Sequence, residues 1–131
     1  MQINRALSLL VLSRLAAAAV AQVQYTVTEL APLAGYTSSS ASGINDLGDV
    51  VGNSQPNAGY ANMATMWHAG LPVALGKAPK GNYSMANAIN NSGQITGDAD
   101  DGSIRPYVVV FRGGKAVFID SGANNSHGFV M

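Results

Sequence analysis

The chain has 131 residues, seven basic and seven acidic side chains, no cysteine, and only 11% charged residues. That length suits one small domain, and the missing thiols exclude disulfides and thiolate metal sites. A neutral chain with no basic patch also argues against a nucleic-acid-binding surface.

Residues 1–21 differ from the rest. "MQINR" is a short basic start, "ALSLLVLSRLAAAAV" is an apolar run broken by Arg14, and Ala19 to Ala21 offer a small-residue cleavage site. This pattern predicts a secretory signal peptide cut after Ala21, leaving Gln22 to Met131 outside the cytoplasm, extracellular or periplasmic. The alternative is an N-terminal anchor or a buried helix. The run is too short and interrupted for a stable membrane span after cleavage. The remainder, 22–131, reads as a β-repeat domain, because its abundant Gly, Asn and Ser suit a protein of many turns.

"YTVTEL", residues 25–30, is the first strand expected, and it matches the fourth strand of the units that follow. Unit one spans about 30–75 and unit two about 76–120. Residues 121–131 would open an incomplete third unit. The signal for the repeat is a phrase written twice: "GINDLGDVVG" at 43–52 and "AINNSGQITG" at 88–97. At a shift of 45, Ile44, Asn45, Gly48 and Gly52 meet Ile89, Asn90, Gly93 and Gly97; beyond the next loop the shift is 44, and Trp67 meets Phe111.

Each unit holds four short strands. The first ends in "SGI" or "NAI". The Asn-to-Gly phrase then predicts a hairpin turn, with Gly48 and Gly93 at positive φ. "DVVGNS" and "QITGDA" are the second strands, "NMATMWH" and "PYVVVFR" the third, "LPVAL" and "KAVFID" the fourth. Four strands in about 45 residues is the period of a β-propeller blade. The fold class expected is therefore all-β: two four-stranded antiparallel propeller-like blades plus a leading strand, a partial β-propeller. The alternative is a β-sandwich of two similar sheets.

"YTVTEL", "GINDLGDVVG", "ATMWHAG" and "VFRGGKAVFID" together resemble the HAF-repeat family of extracellular bacterial proteins, over almost all of residues 25–120. The eponymous His-Ala-Phe element reads "MAT" at Met63 to Thr65 and "YVV" at Tyr107 to Val109, and is nearest at His127 to Phe129. The resemblance implies secretion and a repeat architecture, with the chain covering about two repeats. It implies no activity.

Asp98, Asp100 and Asp101 form the dense acidic cluster, on the loop predicted between strands two and three. Carboxylates on a Gly-bearing loop can hold calcium, so these three are the candidate metal ligands; a solvated turn is the simpler reading. No other cofactor is implied. His68 and His127 lack a metal-ligand or Ser/Asp setting in sequence. Asp46 and Asp49 flank the first turn, where Asp46 is expected to cap, and unit two replaces them with Asn91 and Gln94. Trp67 could stack on a sugar, but Phe111 at the same repeat position favours a core aromatic. The glycosylation patterns at Asn82, Asn90 and Asn124 are expected by composition alone.

No catalytic constellation is visible. The expectation is a secreted, non-catalytic binding or structural module whose partner is a glycan or a second copy of itself. A fragment of a carbohydrate-active propeller enzyme and a small lectin assembled from two-blade chains are the alternatives. Two open blades and an unpaired leading strand predict self-association.

Overall fold

The computed structural model describes residues 23–103 and 105–119. These residues are all-β and contain no helix. β1 (Ser38–Ile44), β2 (Val50–Gln55), β3 (Met63–His68) and β4 (Leu71–Ala74) form one antiparallel sheet in chain order. β5 (Ser84–Ile89), β6 (Ile95–Ala99), β7 (Tyr107–Arg112) and β8 (Lys115–Phe118) form the second in the same order. All eight predicted strands of the two units are present, and the sheets remain open.

The repeat holds down to single residues. Ser39 pairs with Ser54 as Ser84 pairs with Ala99, and Ile44 with Val50 as Ile89 with Ile95. A β-bulge interrupts both hairpins at one place, between Ala41 and Gly43 and between Ala86 and Ala88. Opposite the bulge the strands crowd together. A Cβ on Gly52 would lie 1.9 Å from the Ser40 carbonyl oxygen, and one on Gly97 would lie 1.9 Å from that of Met85. Only glycine fits so close a backbone approach.

The turns are also built twice. Asn45 Oδ1 accepts the N–H groups of Leu47 and Asp49, at 3.1 and 2.9 Å. Asn90 Oδ1 accepts those of Ser92 and Gln94, at 3.0 and 2.9 Å. Gly48 and Gly93 take φ of 82° and 73°, as the sequence predicts. The cap is the asparagine, and Asp46 instead accepts a hydrogen bond from Asn91 Nδ2 at 2.6 Å.

The two sheets pack face to face, with β5 lying across β1, β2 and β3. Val51, Ala64 and Met66 of the first sheet meet Ala86, Ile89, Ile95, Val109, Phe111 and Ala116 of the second. Burying a side chain such as Ile89 or Phe111 contributes about 1.5–3 kcal/mol. The faces in contact are not equivalent in the repeat. Side chains opposite one another in an antiparallel pair share a face, so Val51 and Met66 share one and Ile44, Val50 and Trp67 share the other. The matching residues Ile89, Ile95 and Phe111 form the contacting face of the second sheet. One sheet thus offers its back to the front of the next.

"YTVTEL" departs from expectation. Residues 25–30 form no strand, and Tyr25 and Val27 are exposed. Their partner strands would have to come from another sheet, and no sheet among the described residues supplies an edge there. The segment just after is nonetheless tied down. Trp67 Nε1 donates to the Ala31 carbonyl at 2.7 Å, Leu33 N donates to Ser54 Oγ at 3.0 Å, and Ser39 Oγ donates to the Leu30 carbonyl. The signal-peptide residues, the incomplete third unit and His127 lie outside the described residues.

Candidate functional site

The connection from β4 to β5 crosses from one sheet to the other and folds against the end of β6. Lys80 at φ 66° and a Gly81 N–H to Ala78 carbonyl bond of 3.0 Å turn it sharply. Asp100 fastens the turn. Its Oδ1 accepts the N–H groups of Asn82 and Tyr83, at 2.7 and 2.8 Å. Gly81 is required here, since a Cβ would lie 2.4 Å from the Asp100 carbonyl oxygen.

This turn forms one wall of a cavity of about 620 Å³. Tyr60 and Ala61 come from the β2–β3 loop, Asn82 and Tyr83 from the crossing, and Asp100, Ser103 and Pro106 from the β6–β7 loop. Three segments distant in sequence therefore meet at one end of the paired sheets. The Tyr60 ring is 93% exposed. Tyr83 is partly sunk. Burial first, then the negative charges of Asp98 and Asp100, push its hydroxyl up to about 12. It stays a protonated donor across the ordinary pH range. Asp100, itself buried, has one carboxylate oxygen committed to two backbone donors. The cavity is chiefly apolar, with a few polar groups at its edges, as small-molecule sites are.

The candidate calcium ligands do not act as one cluster. Asp98 is buried in β6, where its Oδ2 accepts Asn87 Nδ2 at 2.7 Å. Asp100 holds the crossing. Asp101 is exposed, and hydrogen bonds from Ser103 hold its carboxyl below the ordinary value. Among the described residues, no group of three or more His, Cys, Asp or Glu side chains is placed to hold a metal ion.

His68 does gain an acidic neighbour that sequence reading missed. Its Nδ1 lies 2.6 Å from Asp49 Oδ1, across the ends of β2 and β3, and this contact lowers the Asp49 pKa. Unit two carries Arg112 and Gln94 at these positions, so the pair is not repeated. Trp67 is a core aromatic, 1% exposed. Of the glycosylation patterns, Asn90 is committed to its turn and Ser84 is fully buried, while Asn124 lies outside the described residues.

The residues that build the cavity were not legible as a set. Tyr60 and Tyr83 are 23 positions apart in sequence and meet only because the sheets stack. The one signal available was positional, since both flank strands at the same end of their units. No protein-family model, no curated protein and no solved structure matches the chain.

Proposed function

We propose that this chain is a non-catalytic binding module of a secreted β-repeat protein, and that the cavity between Tyr60, Tyr83 and Asp100 takes a neutral, hydroxyl-bearing ring such as a sugar. The observation that carries the reading is the convergence of three loops on one apolar hollow bearing a protonated tyrosine. The exposed Tyr60 ring supplies a stacking face. The Tyr83 hydroxyl supplies a donor. The half-committed Asp100 supplies an acceptor at the rim. No second carboxylate joins Asp100 among the lining residues, so the set suits recognition better than glycoside hydrolysis, which uses two placed carboxylates.

The two sheets are read as neighbouring propeller blades. Back-to-front stacking of equivalent meanders supports this over a sandwich, and so does the resemblance to HAF repeats. That resemblance also supports secretion, with the mature protein beginning at Gln22; N-terminal sequencing of exported protein checks that point.

A glycan array with wild type and Tyr60→Ala tests the binding site. The variant should keep the wild-type melting temperature, because its ring is exposed, and should lose retention at least tenfold. Retention by neither protein, or equal retention by both, overturns the assignment.

A further inference from the structure

The repeat makes the contact between the two sheets a template. On the front of the second sheet, Ala86 and Ile89 are covered by the first sheet, and Ile89 is 8% exposed. The same positions on the front of the first sheet are Ala41 and Ile44. Both are exposed, and Ile44 is 67% so. Ser84 shows what the covered position does. Its Oγ donates to the Gly76 carbonyl at 2.8 Å and accepts the Ala64 N–H of the neighbouring sheet at 2.9 Å. Its counterpart Ser39 makes a related bond, to the Leu30 carbonyl, one residue before the counterpart of Gly76. Ser39 and Ala41 border a hollow of about 480 Å³, whose other wall includes Thr28, Glu29, Leu30 and Pro32.

The back of the second sheet is the complementary surface. Where the first sheet uses Ala64 and Met66, with Val73 beside Met66 and 45% exposed, the second carries Val108, Val110 and Val117. Val108 and Val110 are half-buried, and Val117 is 48% exposed. Both surfaces carry apolar side chains, although the second sheet has Thr96 and Asp98 where the first has Val51 and Asn53, and each matches one side of a contact the chain already makes.

We infer that the front of β1–β4 docks the back of β5–β8 from a second copy of this chain, head to tail. The turns fit the same arrangement. Within one copy the Asp46 N–H donates to Asn91 Oδ1 at 2.9 Å, while Asn91 Nδ2 donates to the Asp46 carboxylate. Between copies the roles reverse, and the Asp46 carboxylate is an acceptor for the N–H of residue 91. The contact is heterologous, so it closes into a ring or grows into a filament rather than stopping at a dimer. It is independent of the loop cavity.

Light scattering on the full chain at micromolar concentration is the experiment. Ile44→Asp blocks the front, and Val117→Lys blocks the back. Both residues are exposed, so both variants should fold; Ile44→Thr and Val117→Thr are a milder pair should either fail. Wild type should exceed the monomer mass by at least threefold. Each variant alone should be a monomer. An equimolar mixture should give a one-to-one heterodimer, because one intact front meets one intact back. A monomeric wild type overturns the inference. So does association that neither substitution reduces, which would point to the terminal segments. So does a mixture that stays monomeric.

Discussion

Asn45 Nδ2 donates to the main-chain carbonyl of Asn90, 45 residues on, at 3.3 Å. Two copies of one turn therefore touch, and the amide that organises the first also reaches the second. Asn45→Ala should cost about 1–3 kcal/mol, since it strands two backbone donors and breaks the link. Asn45→Asp keeps the acceptor and should fall between the two. Urea denaturation measures both.

The glycines of the repeated phrase should differ sharply in tolerance. Gly48 sits at positive φ with nothing near its missing Cβ, so Gly48→Val should cost about 1–3 kcal/mol through backbone strain alone. At Gly52 even alanine collides with the Ser40 carbonyl. Gly52→Ala should cost more than Gly48→Ala, by roughly 2 kcal/mol or more. Thermal melts that rank them the other way would contradict the close approach.

Asn53 is buried where the sheets meet, and neither of its amide atoms has a hydrogen-bonding partner among the described residues. Its counterpart Asp98 has Asn87, the bulge residue of β5. The matching bulge residue in β1 is Ser42, whose side chain is one atom shorter than asparagine's, and no hydrogen bond joins it to the Asn53 amide. Ser42→Asn should therefore stabilise the protein by about 1 kcal/mol, with the gain lost in an Asn53→Leu background. Equilibrium denaturation of the four-member cycle gives the coupling.

Tyr83 ties stability to alkaline pH. The unfolded phenol ionises near 10, and the folded one near about 12. Losing the proton thus favours unfolding between those values. Stability is complete below pH 10 and falls as pH rises through about 12. Near-ultraviolet titration should show a late tyrosine step that Tyr83→Phe removes. Asp49 works in the opposite sense. Its carboxyl is lowered by His68, so that contribution is present above the ordinary value of 3.8 and fades as pH drops through the folded one. His68→Ala should flatten this acid limb.

Strands and turns were legible because their causes are local. The Asn-to-Gly phrase dictates a turn wherever it occurs, and the apolar run at Tyr107 to Phe111 reads as a strand covered on both sides. Val109 and Phe111 are indeed buried in the core, while Val108 and Val110 are half-covered on the back. What was not legible depends on neighbours. "YTVTEL" has the composition of a strand, but a strand needs an edge to pair with. The three aspartates adjoin in sequence, yet each is claimed by a different partner, Asn87, the Asn82–Tyr83 backbone and Ser103. The Tyr60–Tyr83 cavity exists only after the sheets stack.

A chain that writes one hairpin twice carries interchangeable strands, since β1 could in principle zip onto β6 as well as onto β2. The glycine contact opposite the bulge cannot tell them apart, because Gly52 and Gly97 make the same approach. Kinetics can. The Asn45 turn joins β1 to β2 through five residues, 45–49, whereas a β1–β6 pairing must close about fifty. That tenfold longer loop costs about 2 kcal/mol more in closure entropy. Each hairpin should therefore zip locally and early, and strand exchange between units should become a hazard only when the short turn is damaged. Asparagine at position 45 then guards fidelity of assembly as well as the stability of the finished sheet.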